Sequence, residues 1–254
     1  MVTTQEAFIQ SNKQSWDEVA PRFFGRTALP TYGPFAPTED QLNLFGDVKN
    51  LKVLDIGCGS GHSLAYMASR GAAELWGIDL SDTQIATAQT VLLPYAPIVK
   101  LFQGPMEQDP GIPHQAFDIV YSIYALGWTV DLRKTLQNAF NYLKPGGIFI
   151  FSWEHPLHNR IQYEEGAYVV KKSYHEEGLQ QSEAWNQHHA VMSQFKLSTY
   201  LNELTQTGFQ IVRVIEDACI PETTEQGNPA RWYAPEKAQL LPATFIIKCA
   251  KPTQ

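Results

Sequence analysis

Cysteine is scarce in this sequence: Cys58, Cys219 and Cys249 are the only three in 254 residues. Their wide spacing removes a CxxC metal or redox pair, and three scattered thiols do not build a disulfide framework. A reducing, cytoplasmic setting is expected. Basic residues are also few. Nineteen Lys and Arg stand against 26 Asp and Glu, a formal net charge of -7. They are scattered along the chain, so the electrostatic footprint of a nucleic-acid binder is missing and a small-molecule partner is expected. No apolar run approaches the roughly 20 residues that span a bilayer. Residues 1–12 have neither the basic start nor the apolar stretch of a secretory signal. No membrane partner is expected.

What is present suffices for a full core. Apolar residues make up 44% and aromatics 12% of the chain, enough for one large α/β domain with or without an insertion. From 51 to 152, strand-like runs at 51–56, 74–79, 98–103, 117–122 and 147–152 alternate with helical stretches. That pattern predicts a parallel sheet with helices on both faces. Ser81 and Gln84 form a capping box before a helix whose apolar face is Ile85, Ala88 and Leu92. Leu132, Leu136, Ala139, Phe140 and Leu143 repeat at helical spacing, and Pro145, Gly146 and Gly147 end that helix. Residues 197–207 predict another helix with Ser198 as its N-cap, closed by Gly208. A strand at 209–215 follows, and a last strand at 244–249 is expected at the sheet edge.

The strongest chemical signal is VLDIGCGSGHS, residues 53–63. A buried-type strand ends in Asp55, and Gly57, Gly59 and Gly61 follow at alternate positions before a helix. Such a loop turns sharply and meets its ligand with bare backbone. A nicotinamide-binding GxGxxG would place its third glycine at position 62, which is His62, and the GxxxxGK[ST] phosphate loop is absent. A second strand, in LWGIDLS at 75–81, ends in Asp79, 22 residues after Gly57. A carboxylate there can accept hydrogen bonds from both hydroxyls of a ribose.

DIGCGSG resembles the first motif of class I S-adenosylmethionine (SAM)-dependent methyltransferases, of the small-molecule type with a type 11-like domain. GPMEQ at 104–108, FDIVYSIYALGW at 117–128, LKPGGIFIFSWEHP at 143–156 and LSTYLNELTQTGF at 197–209 extend the resemblance in the family's order. It implies a Rossmann-like, doubly wound, mostly parallel seven-stranded sheet with an inserted lid. It implies SAM as cofactor, S-adenosylhomocysteine as product, and methyl transfer to a small-molecule acceptor. The residues it places at the cofactor are Trp16, Asp55, Gly57, Cys58, Gly59, Gly61, His62, Asp79, Leu80, Met106, Glu107 and Ser122. Where the family commonly has Asp after the glycine of GPMEQ, this chain has Pro105, leaving Met106 to pack on the adenine and Glu107 to accept from its amino group. The fourth motif lacks an NPPY-like sequence and a Pro-Cys pair, which argues against amino-methylation of adenine or glutamine and against cytosine-C5 methylation.

Two segments break the alternation. Residues 1–50 are read as an N-terminal lid or helical segment, 51–152 as the SAM-binding core, 153–195 as a lid insertion over the acceptor pocket, and 196–254 as the rest of the sheet domain. Long connections in compact domains are usually functional. The aromatics of the insertion, Trp153, Tyr163, Tyr168, Tyr174 and Trp185, suit an acceptor pocket; they equally suit packing against each other or a homodimer interface. Methyl transfer does not require a general base, but for a hydroxyl acceptor one is useful, and His155, then His188 or His189, are the candidates; for His155 the alternative is a structural residue packed before Pro156. Two other readings stay open: a SAM-binding protein without catalysis, and an NAD(P)-linked oxidoreductase.

Overall fold

The computed structural model describes residues 4–182, 190–222 and 227–253. In chain order the elements are α1 (Thr4–Val19), a 3₁₀ turn (Ala20–Phe23), α2 (Glu39–Leu42), β1 (Lys52–Ile56), α3 (His62–Ser69), β2 (Glu74–Asp79) and α4 (Asp82–Val91). β3 (Val99–Gln103), β4 (Phe117–Ile123), α5 (Leu132–Tyr142) and β5 (Leu143–Glu154) complete the alternating half. Two hairpins follow, β6 (Ile161–Glu164) with β7 (Ala167–Val170) and β8 (Gly178–Ser182) with β9 (Ala190–Gln194). The chain ends with α6 (Leu197–Thr207), β10 (Gln210–Ile215), α7 (Pro235–Ala238) and β11 (Thr244–Ala250).

Seven strands form one sheet in the order β10-β11-β5-β4-β1-β2-β3, with β11 antiparallel to both its neighbours. β11 is therefore an inner strand, and β10 takes the edge position expected of it. The strand order reverses between β1 and β4, which leaves a crevice beyond their carboxyl ends. Alternate side chains divide the core. Leu54 and Ile56 face a layer containing Leu136 and Ala139 of α5 and Leu204 of α6. Val53 faces the opposite layer, with Leu64 and Met67 of α3 and Ile85 and Ala88 of α4. This period-two switching is what a strand covered on both faces requires.

Two caps differ from expectation. Ser81 Oγ accepts from Gln84 N as a cap should, but the Ser81 N–H goes to Asp79 Oδ1, so the box is not closed by the Gln84 side chain. α6 starts after Lys196, and Ser198 lies inside the helix. The Lys196 N–H is instead taken by Glu177 Oε1 at 2.7 Å. Glu177, just before β8, thus anchors the residue that precedes the helix, and the Lys196 side chain makes no cap of its own.

The N-terminal stretch has two parts. Residues 29–48 belong to the core: Leu29, Tyr32, Leu44, Phe45 and Val48 pack with Tyr121 and Ile150 on the face of α3 and α4. Buried Glu39, at the start of α2, organises them. Its carboxylate accepts from Tyr32 Oη at 2.6 Å and from the Leu44 and Phe45 amides at 2.9 Å each. Among the described residues, no helix is long and apolar enough to cross a membrane. Removing the Glu39 carboxylate strands three buried donors. Glu39→Ala is expected to lower stability by roughly 3 kcal/mol or more in urea unfolding; an unchanged midpoint would show that these bonds do not anchor the segment.

Candidate cofactor site

The sheet's crevice is closed above by α1 and the turn after it, which leaves a cavity of about 940 Å³, mouth included. Three carboxyls line it in a row at the ends of β1, β2 and the loop after β3: Asp55, Asp79 and Glu107. Neighbouring strands lie about 4.8 Å apart, so the row follows the length of an extended ligand lying across the strand ends.

Asp79 accepts from Gly59 N at 2.8 Å through Oδ2 and from Ser81 N at 2.9 Å through Oδ1. Burial pushes its carboxyl up to about 6, against the pull of these two N–H groups. Asp55 is buried, and among the described residues its Oδ1 has no hydrogen-bond partner. Burial, then the neighbouring Asp79 charge, hold its carboxyl well above the usual range. Glu107 is also raised by burial, eased by backbone N–H bonds and the Thr129 hydroxyl. A cavity lined by three desolvated carboxyls is poised for hydrogen-bond donors or cationic groups.

The three glycines of the loop do different work. All have positive φ, at 78°, 51° and 79° for Gly57, Gly59 and Gly61. A Cβ on Gly59 would meet nothing within 4 Å and would project into open space, whereas one on Gly57 would lie 2.4 Å from Ala125 Cβ. Gly61 does not line the cavity. A Cβ there would press on Leu92 and Ala88 at 3.0 and 3.1 Å, so this glycine serves the packing of α3 on α4. Ser122 is likewise displaced from its expected role, because its hydroxyl is turned to Ile56 O at 2.7 Å and ties β4 to β1.

Of the residues that the resemblance places at the cofactor, Trp16, Cys58, His62, Leu80 and Met106 line the cavity, together with Gly57, Gly59 and the three carboxyls. Trp16 meets Trp128 and Phe23 edge to face, each at 5.2 Å between centroids. The base candidates fare differently. His155 is absent from the lining: its Nε2 is 2.7 Å from Glu216 Oε1 and its Nδ1 accepts from Leu157 N. Burial lowers its pKa despite that carboxylate, and both nitrogens are engaged in holding the end of β5. His188 and His189, with Trp185, lie outside the described residues. No described residue of 153–195 lines the cavity; the insertion reaches it through α1 and the turn after β4 instead.

Sequence reasoning missed Ser60, Ser63, Asn12 and Arg26. Ser60 Oγ accepts from Gly25 N at 3.2 Å and lies 2.9 Å from His62 Nδ1, while Ser63 Oγ accepts from Leu29 N. These two serines strap residues 25–29 to the start of α3. Their place beside the glycines was visible, but their partners are 34 and 35 residues away.

Residues 31–214 match the model of a methyltransferase domain family. An uncharacterized protein of Haemophilus influenzae is 28% identical over 188 residues, covering 69% of this chain and 73% of its own. Trans-aconitate 2-methyltransferase of Deinococcus radiodurans is 32% identical over 114 residues, 44% of this chain and 42% of that enzyme, so the likeness spans less than half its length. The crystal structure of an S-adenosylmethionine-dependent methyltransferase from Mesorhizobium loti superposes with a TM-score of 0.70 at 25% identity, covering 83% of this chain and 95% of that one. The chain belongs to this methyltransferase domain family and is a class I SAM-dependent methyltransferase. The oxidoreductase alternative is thereby set aside.

The site yields two expected outcomes. An ionised Asp79 is the better acceptor, and in the free protein it takes up a proton as pH falls through about 6. SAM affinity by calorimetry should therefore rise with pH through about 6, with proton release on binding. Asp79→Asn should flatten this profile; an unchanged pH dependence in the variant would assign the titration elsewhere. Gly59→Val should keep the circular dichroism of the parent, apart from about 1–2 kcal/mol of left-handed strain, and lose SAM binding. Normal SAM affinity in that variant would contradict the loop's assignment.

Proposed function

We propose that the chain methylates a small-molecule acceptor, and that its three lined-up carboxyls hold SAM along the strand ends. The observation that carries this reading is the match between the row and the cofactor's donors. Asp55, with its unpartnered oxygen, fits the ammonium of the methionine half. Asp79 fits the ribose hydroxyls. Glu107, beside Met106, fits the adenine amino group. Arg26 lines the cavity and is exposed at its mouth; with the first turn of α3 it offers positive charge for the methionine carboxylate.

SAM supplies a methyl group on a positively charged sulfur, and that charge disappears on transfer. The protein's part is alignment and the exclusion of water. α1 and the edge-to-face pair Trp16 and Trp128 cover the cavity, while Tyr124, Ile123 and Ala125 at the end of β4 wall its far side. His62 is the one imidazole lining the cavity among the described residues. The enclosure by α1 disfavours a folded macromolecule as acceptor.

The test is a transfer screen of the purified protein against fractionated metabolites, with S-adenosylhomocysteine measured against an acceptor-free blank. Product above the blank in a small-molecule fraction, lost in Asp79→Ala, is expected. Losing two hydrogen bonds to a charged acceptor costs roughly 1.5–3 kcal/mol each, enough to remove binding at micromolar SAM. Tight SAM binding with no turnover in any fraction would favour a cofactor-binding protein without methyl transfer.

A further inference from the structure

The insertion 153–195 sends no described side chain into the cavity, yet its strand β9 touches both the roof and the turn that supports the floor. Asn12 makes the first contact. It sits within α1, is buried, lines the cavity, and donates from Nδ2 to Val191 O at 2.8 Å while accepting from Val191 N at 2.7 Å through Oδ1. One helical side chain thus satisfies both backbone groups of a strand residue, as a neighbouring strand would. Its Nδ2 also lies 3.4 Å from Trp128 O, at the turn bearing the partner of Trp16.

Two residues along β9, Ser193 makes the second contact. Its hydroxyl donates to Thr129 O at 2.6 Å, and the Thr129 hydroxyl donates to Glu107 Oε2 at 3.2 Å. Asn12, Val191, Ser193 and Thr129 are all buried. A continuous polar line therefore runs from the roof helix through the insertion to the last carboxyl of the row. Opening α1 would leave the Val191 N–H and C=O without partners next to Ser193.

We propose that Asn12 is a positioning residue whose pairing with β9 makes the insertion a catch for α1, coupling closure of the roof to the setting of Glu107 through Ser193 and Thr129. This rests on the reading that the cavity holds SAM. In this arrangement β9 controls cofactor residence although no described residue of the insertion lines the cavity. Asn12→Leu removes both bonds to Val191; Asn12→Asp keeps the acceptor for Val191 N and loses the donor. Ser193→Ala breaks the line beyond the catch.

Hydrogen exchange of α1 in the free protein reads the catch directly, and stopped-flow tryptophan fluorescence, reporting from Trp16 and Trp128, reads the release of S-adenosylhomocysteine. Asn12→Leu should speed α1 exchange and raise the release rate about tenfold or more, while β1 and β4 amides keep their protection. Asn12→Asp should fall between it and the parent. Ser193→Ala should also speed release, and the double variant should show less than the product of the single effects, as coupled groups do. Unchanged α1 exchange in Asn12→Leu overturns the catch. Multiplicative effects, or a silent Ser193→Ala, overturn the coupling to Glu107. If S-adenosylhomocysteine fails to bind the parent protein, the cofactor reading fails instead, and the exchange of α1 in free protein still decides whether Asn12 holds the roof.

Discussion

One buried carboxylate organises this site. Asp79 ends β2 and takes two backbone N–H groups, Gly59 from the loop after β1 and Ser81 from the start of α4. That fixes the glycine loop against the neighbouring strand end before any ligand arrives. Ser81 extends the tie: its hydroxyl caps α4 and donates to Asp17 of α1 at 2.6 Å, and Asp17 also accepts from Thr83 N. Lys13 completes the junction by pairing with Asp17 and Asp82 at 2.8 and 2.6 Å. Desolvation raises the Asp79 carboxyl, so its two N–H partners offset part of the penalty of burial.

From that junction the division of labour follows the topology. The strand reversal between β1 and β4 opens the crevice, and the ends of β1 and β2 and the loop after β3 supply its acids because parallel strands end on one side of the sheet. The roof cannot come from the sheet. α1 provides it with few buried side chains of its own, chiefly Asn12, Ser15 and Val19. It is held by polar contacts to α4 and β9, a weaker attachment than a packed core layer and therefore one suited to opening.

The sheet and the glycine loop were legible because local rules decide them. Alternating apolar runs locate β1 to β4, and DIGCGSG followed by a strand ending in Asp79 locates the cavity at the strand ends. The misassigned parts depend on contacts remote in sequence. The Gly61 spacing did not show that Leu92 and Ala88 would lie over it, nor the pattern around Ser122 that Ile56 O would claim its hydroxyl. His155 was open to two readings, a base just past β5 or a structural residue before Pro156, and Glu216, 61 residues on, engages its Nε2 in the structural one. The proline- and aromatic-rich N-terminal stretch read as one lid, but buried Glu39 gathers its second half into the core.

The central claim is that the row Asp55, Asp79 and Glu107 holds SAM along the strand ends beneath α1. A crystal structure with S-adenosylhomocysteine tests it most directly. The account predicts the ribose hydroxyls on Asp79, the ammonium within hydrogen-bond distance of Asp55 Oδ1, and the adenine amino group at Glu107, with Trp16 and Asn12 above. A ligand bound in another cavity, or lying here with its ribose away from Asp79, would contradict it.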